Sequence, residues 1–141
     1  MCCRRSSGFS AQVSKQIQTK LKQIDSIFPN TTASCVLTRS GMLIAQQVKN
    51  YDNRVNDLVV PIASLKRAAE NFGLALNQTS CPILHVQGSN VMFSCYELGD
   101  YLLAFYTDMT SQSPNFDISD ADTRMNSLIS ELRLLFQNLI I

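Results

Sequence analysis

The chain is 141 residues long, 45% of its residues are hydrophobic, and its formal net charge at pH 7 is +1. A chain of this length can bury one proper core and is most simply a single domain. The near-neutral charge gives no reason to expect nucleic acid as a partner. No stretch is apolar enough to predict a membrane span, since even the C-terminal segment carries Glu131 and Arg133.

The charges are unevenly distributed along the chain. The segment before Asp25 contains basic residues and no acids, whereas acids outnumber basic residues from Glu97 onward. Such an asymmetry can steer association with a charged partner, but ordinary solvated faces would produce the same pattern.

The cysteines indicate a reducing compartment. Cys35, Cys81 and Cys95 lie inside apolar, strand-like runs, where cysteine usually behaves as a small buried hydrophobic residue. With Cys2 and Cys3 the count is odd, and the spacing matches neither a disulfide framework nor a zinc site. The N-terminus lacks the apolar core of a signal peptide. We therefore predict a cytoplasmic protein.

The first elements in chain order are a lead and a helix. Residues 1–9 are small, polar and basic and are expected to form a flexible lead, which leaves residues 10–141 as the single domain. Hydrophobic residues at helical spacing predict a helix over residues 10–28. Pro29 ends that pattern.

A hairpin and a second helix follow. Residues 33–39 and 42–48 predict two strands that reverse at Ser40-Gly41. The next helix is predicted over residues 56–77, with Pro61 either in its first turn or at a kink. Its apolar stripe is expected to consist of Leu58, Ile62, Leu65, Ala69, Phe72 and Leu76, with Lys66, Arg67 and Glu70 mainly outside it.

The second half predicts three strands and a last helix. The strands, over residues 82–87, 91–97 and 101–107, are separated by turns that contain glycine. The third is apolar on both faces, which favours a central position in the sheet. Ser119 and Asp122 resemble a capping box for a helix over residues 119–141, whose apolar face includes Leu128, Leu132, Leu135 and Phe136. The fold class is α/β (α+β), ordered α-β-β-α-β-β-β-α, with a five-stranded, mostly antiparallel sheet.

The sequence contains no recognisable catalytic motif. His85, the only histidine, is flanked by apolar residues in a predicted strand, and we expect it at a sheet edge or in a satisfied core. Asp117, Asp120 and Asp122 cluster at a helix start, where the helix dipole favours negative charge without a metal. There is no glycine-rich phosphate loop. We therefore predict a protein that is not an enzyme and uses no cofactor or metal.

Several segments resemble the Roadblock/LC7 domain family. ASCVLTRSGMLIAQQ resembles its first hairpin, RVNDLVVPIASLKRAAENFGLAL its central helix, and HVQGSNVMFSCYELGDYLLAFYT its last three strands. The C-terminal helix makes the layout most similar to the roadblock subunits of the Ragulator scaffold and to bacterial MglB. Pro61 departs from the family pattern, because proline is unusual in that central helix.

The resemblance implies a non-enzymatic scaffold or adaptor. Such domains pair with another roadblock-type or longin-type subunit, as homodimers or heterodimers, and support small-GTPase regulation, which for Ragulator-like proteins takes place on the cytosolic face of endolysosomal membranes. A roadblock-type dynein light chain and a longin-type vesicle-trafficking subunit are the alternatives. On the central helix, the expected interface residues are Ile62, Leu65, Lys66, Arg67, Ala69 and Phe72.

A membrane connection is expected only indirectly or through the N-terminal cysteines. Cys2 and Cys3 precede Arg4 and Arg5, and paired acyl chains beside basic residues would anchor stably, so both cysteines are candidate lipidation sites. An unmodified flexible tail is the other interpretation of the same residues.

Overall fold

The fold contains the predicted order of helices and strands. A computed structural model describes residues 11–49, 54–77 and 81–137, so the predicted lead, with Cys2 and Cys3, lies outside the described residues. The predicted first helix is broken at Gln23 into two pieces. The elements are α1 (Ala11–Lys22), α2 (Ile24–Ile27), β1 (Thr31–Thr38), β2 (Leu43–Val48), α3 (Arg54–Ala75), β3 (Ile83–Gln87), β4 (Val91–Leu98), β5 (Tyr101–Asp108) and α4 (Ile118–Gln137).

The strands form one antiparallel sheet in the order β2-β1-β5-β4-β3. The prediction that the last strand is central is confirmed, because β5 pairs with β1 on one side and β4 on the other. Its alternate residues enter two different cores. Leu103 and Phe105 face one side of the sheet, and Leu102, Ala104 and Tyr106 face the other.

One side of the sheet is covered by α1, α2 and α4. α1 packs near β2 and contacts α4, which packs near β4. Phe28 is fully buried between them, with its ring 4.9 Å from that of Phe105. The basic N-terminal segment and the acidic C-terminal segment form an ion pair within the chain, because Nζ of Lys20 on α1 lies 2.7 Å from Oε1 of Glu131 on α4.

The predicted apolar face of the last helix is confirmed. Leu128, Leu132 and Phe136 are buried, and Leu135 is partly buried against the same core. The predicted capping box is wrong. α4 begins at Ile118, and Asp117 caps it by accepting a hydrogen bond from the Ser119 N–H at 3.1 Å.

The other side of the sheet is covered by α3, and the predicted stripe of this helix is wrong. The buried residues are Val55, Val59, Ile62, Ala63 and Lys66. Only Ile62 belongs to both sets, so the helix is rotated relative to the prediction. Apolar residues at helical spacing lie on two faces of α3, and periodicity alone does not show which face meets the sheet.

Pro61 lies inside α3 rather than in its first turn. Proline lacks the N–H that would bond to the carbonyl four residues earlier, that of Asp57. Pro61 and Asp57 are both exposed, so water can take the place of that bond.

Leu132→Ala should lower the free energy of unfolding by about 2–5 kcal/mol, because the fully buried side chain leaves a cavity between α4 and the sheet. Leu134→Ala on the same helix is the matched control. Leu134 is 60% exposed, and its removal should change stability by less than about 0.5 kcal/mol. Urea unfolding of both variants measures the difference, and equal midpoints would show that α4 does not pack as described.

Candidate interaction surface

The two faces of the sheet are unequally covered. Five strands about 4.8 Å apart make a sheet about 19 Å wide, whereas a helix with its side chains is about 10 Å across. Each face therefore needs about two helices. α1 and α4 supply two on one face, near β2 and β4 respectively. Of the described helices, α3 alone lies on the other face, where it packs against β1 and β2.

The other half of that face, on β3 and β4, is apolar and open. Val86 and Val91 are 44% and 41% exposed, and Leu84 and Phe93 are only half-buried. β3 also forms an edge of the sheet. Apolar surface next to an unpaired strand edge is typical of a site that another chain covers.

A groove of about 370 Å³ separates α3 from this open half. α3 contributes one wall and the sheet the other, and the lining residues are Leu58, Pro61, Ile62, Leu65, Val91, Phe93 and Tyr106. Nearly all of these side chains are apolar. The groove therefore fits an apolar side chain from a partner rather than a charged or polar small molecule.

An apolar stripe runs along the outside of α3. Phe72 is 69% exposed and Leu65 is 38% exposed. We use the name outer stripe for the residues that repeat at heptad spacing on this face, namely Leu58, Pro61, Leu65, Ala68, Phe72 and Ala75.

The predicted interface residues divide into two groups. Leu65, Arg67, Ala69 and Phe72 are at least partly accessible on α3. Ile62 is buried and reaches only the floor of the groove. The prediction that Lys66 lies on the solvent side is wrong, because this residue is 2% exposed and does not belong to the accessible surface.

Lys66 is held in the core by two carboxylates. Its Nζ donates to Oε2 of Glu70 at 2.9 Å and to Oε2 of Glu97 on β4 at 2.8 Å. Arg39 completes the cluster, with Nη1 3.4 Å from Glu70 and Nη2 3.6 Å from Glu97. Two cations and two anions neutralise one another, which allows a lysine at a buried position of α3.

The ion cluster shifts the pKa values of Lys66 and Glu70. Burial alone would lower the pKa of Lys66, but hydrogen bonds and charges from Glu97 and Glu70 outweigh it and raise that pKa. The hydrogen bond from Lys66 lowers the pKa of Glu70. Both shifts favour the charged forms. The contribution of Glu70 to stability is present at neutral pH and is lost as the pH falls through its folded-state pKa, whereas that of Lys66 is lost only as the pH rises through the folded-state pKa of the lysine.

A second polar cluster surrounds His85 on the α1 and α4 side of the sheet. Nε2 of His85 donates to Oδ1 of Asp122 at 2.9 Å, and Nδ1 lies 2.7 Å from Oγ of Ser94. The Tyr96 hydroxyl also donates to Oδ1 of Asp122. Burial raises the pKa of Tyr96, so the phenol keeps its proton and remains a donor.

The Ser94, His85 and Asp122 contacts have the connectivity of an acyl-transfer relay, but Ser94 is fully buried. A substrate carbonyl cannot reach its Oγ, so the cluster ties α4 to β3 and β4 instead. The prediction of a histidine at a sheet edge is confirmed, since His85 lies on edge strand β3. Sequence reasoning misses its partner, because it places Asp122 in the helix cap. The sequence does contain a feature that could have identified this partner: Asp122 precedes Met125 by about one helical turn and so lies near the buried face of α4.

The other candidate groups are metal-ligating side chains, apolar helices and cysteines. Within residues 11–49, 54–77 and 81–137, no three His, Cys, Asp or Glu side chains are grouped to hold a metal ion. No helix in those ranges is long and apolar enough to cross a membrane. Burial raises the pKa of Cys35 and Cys95 to about 12, so both thiols stay protonated. Cys81 differs from the prediction, because it precedes β3 and is only half-buried.

Lys66→Met should destabilise the protein at pH 7 by about 3 kcal/mol, because Glu70 and Glu97 lose their buried counter-charge. The difference from the wild type should shrink as the pH falls through the lowered folded-state pKa of Glu70, because protonation of that carboxyl removes its ion pair with Lys66 in the wild type and its charge in the variant. Urea unfolding of both proteins between pH 7 and pH 3 measures this. A difference that is constant with pH would contradict the described cluster.

Solved structures are similar to this chain over most of its length. An MglB structure with a tetrameric arrangement is 14% identical, with a TM-score of 0.74, and the match covers 98% of this chain and 100% of that one. Myxococcus xanthus MglB is 13% identical, with a TM-score of 0.75, and the match covers 94% of this chain and 96% of that one. A Roadblock/LC7 domain from Streptomyces avermitilis is 12% identical, with a TM-score of 0.70, and the match covers 85% of this chain and 97% of that one. No family model and no curated protein matches the sequence.

At this level of identity the likeness is one of fold. It extends over the helices and strands described above, including the C-terminal helix in the MglB structures, whose matches cover 98% and 94% of this chain. The fold predicted from the order of hydrophobic periods is thereby confirmed: this chain has the Roadblock/LC7 fold.

Proposed function

We propose that this chain is a non-enzymatic adaptor that pairs through its α3 face with another roadblock-type domain, and that the pair supports regulation of a small GTPase. The observation that carries the proposal is the half-covered sheet, which has α1, α2 and α4 on one face and, of the described helices, only α3 on the other. A second roadblock-type domain would supply the missing helix. One MglB structure has a tetrameric arrangement, which supports assembly between domains of this fold.

The open half of the sheet gives such a partner both of the usual means of attachment. The apolar side chains of Val86, Val91 and Phe93 provide area to bury, and the edge of β3 provides unpaired backbone groups. Lys66 contributes indirectly, because its ion pair with Glu97 on β4 joins α3 to the sheet in the rotation that turns the outer stripe outward.

The resemblance to Ragulator subunits extends the proposal to a scaffold on the cytosolic face of endolysosomal membranes. Cys2 and Cys3 are then the candidate lipid attachment sites. Imaging of a tagged chain tests this, with Cys2→Ser/Cys3→Ser as the comparison. A diffuse distribution of both proteins would limit the proposal to a cytoplasmic adaptor.

A roadblock-type dynein light chain fits the structure less well. Such light chains usually stop soon after the last strand, whereas α4 supplies the fully buried Leu132 and Met125 to the core of this chain.

Phe72→Asp should abolish partner binding without unfolding the protein. Phe72 is 69% exposed, so its replacement costs little folding free energy but places a charge in the proposed interface. Leu134→Asp is the matched control, since Leu134 is similarly exposed but lies on α4. Affinity purification from the native cell, followed by mass spectrometry, should recover a roadblock-type subunit and a small GTPase with the wild type and with Leu134→Asp, but not with Phe72→Asp.

Regulation of the GTPase is tested separately, by measuring its GTP hydrolysis and nucleotide release. GTP hydrolysis and nucleotide release by the recovered GTPase should change when purified wild-type chain is added, and should not change with Phe72→Asp. If the GTPase responded equally to both proteins, its regulation would not depend on the α3 surface, and the proposal would be contradicted.

His85→Ala should leave complex formation and GTPase regulation unchanged, although it leaves the Asp122 carboxylate short of one partner and lowers stability by about 1–3 kcal/mol. Thermal unfolding and the binding assay above measure the two effects. Loss of cellular activity in a His85→Ala protein that is folded and still forms its complexes would show that the buried relay has a chemical role and that the adaptor function is wrong.

A further inference from the structure

We propose that a cavity at the β2 edge of the sheet binds a ligand through a single carboxylate group. The cavity has a volume of about 290 Å³ and lies between the end of α1 and the strands β1 and β2. We call it the α1 cavity, and its lining includes Leu21, Lys22, Asp25, Ser34, Gln47 and Lys49. Because α1 and α3 cover opposite faces of the sheet, this inference is independent of the proposed function.

The strands present polar side chains to α1 at this edge of an otherwise apolar layer. Ser34 on β1 lies directly opposite Gln47 on β2 and Phe105 on β5. Residues directly opposite one another share a face of the sheet, and Phe105 belongs to the core beneath α1 and α4. Toward the edge, the ring of Phe105 therefore gives way to a hydroxyl and an amide. Gln47 is half-buried, and its side chain forms no hydrogen bond with any described residue.

Ser34 supplies a deeply placed hydroxyl that lacks a partner. The residue is only 3% exposed, and its side chain forms no hydrogen bond with any other residue that the structure describes. Among the same residues, every fully enclosed polar side-chain atom has a partner, so the Ser34 oxygen is not enclosed and reaches the α1 cavity. Polar groups at this depth are normally hydrogen-bonded. An oxygen atom of a ligand in the cavity would provide the partner.

The charged residues of the α1 cavity leave one positive charge in excess. Oδ1 of Asp25 accepts a hydrogen bond from the Thr31 N–H at 3.1 Å and lies 3.0 Å from Nζ of Lys49. An ammonium group has three hydrogens, so Lys49 keeps two for a ligand. Lys22 has no ion-pair partner within the described part of the chain. With Asp25 neutralised by Lys49, the cavity suits a ligand group that carries a single negative charge.

A carboxylate fits these groups better than a phosphate does. Its two oxygens can accept from the Ser34 hydroxyl on one side and from the ammonium group of Lys22 or Lys49 on the other. A phosphate with two negative charges would be held close to the carboxylate of Asp25, which repels it. The cavity is small for a ligand site, and Leu21 gives it an apolar wall. The ligand therefore carries its carboxylate on a short apolar body.

The test titrates the purified full-length chain with sodium propionate and follows its backbone amide resonances by NMR. The shifts should be largest at Ser34, Gln47 and Lys49, which line the cavity. Propionamide has the same shape without the charge and should leave these resonances in place. Methylammonium should also leave them in place, because the charge in excess in the cavity is positive.

Two variants assign the binding to the cavity. Lys22→Gln and Ser34→Ala should each raise the dissociation constant for propionate about tenfold, because each removes a hydrogen bond to the charged group. Lys15→Gln is the matched control, since Lys15 is exposed about two turns earlier on α1 and does not line the cavity. Ser34→Ala should keep the thermal unfolding midpoint of the wild type, because the hydroxyl bonds to no described residue. If that variant fails to fold, the exposed Lys22 still decides the test.

Two peptides distinguish the sources of the carboxylate. If acetyl-dialanine with a free C-terminus binds more tightly than propionate, the ligand is the end of a peptide chain, and if it binds equally or less tightly, the ligand is a free acid. Both results support the proposal, and the peptide with an amidated C-terminus should not bind in either case.

Four results overturn the proposal. The first is that neither propionate nor the free peptide shifts the resonances of the cavity. The second is that propionamide or methylammonium binds as well as propionate, and the third is that inorganic phosphate binds more tightly. The fourth is that Lys22→Gln weakens binding no more than Lys15→Gln does.

Discussion

The organisation of this protein depends on how many helices a five-stranded sheet needs. A sheet about 19 Å wide requires about two helices on each face to keep its apolar side chains from water. α1 and α4 meet this requirement on one face, and α3 meets half of it on the other. The open half on β3 and β4 follows from that shortage. An incompletely covered sheet of this kind gives a domain a reason to associate that does not depend on any special binding motif.

The rotation of α3 decides what the association surface contains. Apolar residues occupy two faces of this helix, and either face could have met the sheet. The face that meets the sheet is apolar apart from Lys66, whose ammonium group pairs with Glu97 on β4 and with Glu70 on its own helix. This rotation leaves Leu65 and Phe72 on the outside. The charges of the cluster are therefore structural, and exposed apolar residues of α3 form the surface.

The His85 cluster shows how burial changes the meaning of a familiar set of contacts. Ser94, His85 and Asp122 are connected as in a hydrolase, but the hydroxyl is fully buried and no reacting atom can approach it. In that setting the same hydrogen bonds satisfy the buried Ser94 hydroxyl and join α4 to the sheet. A catalytic-like arrangement of serine, histidine and aspartate therefore indicates catalysis only where a substrate can reach the serine hydroxyl.

The sequence by itself determined the order of elements, the central position of β5 and the buried face of α4, because each depends on local periodicity or on a strand that is apolar on both faces. Only the tertiary structure decided the rotation of α3 and the partner of His85. Both depend on contacts between residues far apart in the chain, such as Lys66 with Glu97 and His85 with Asp122. A periodic pattern gives the spacing of a face but does not identify the element that the face will meet.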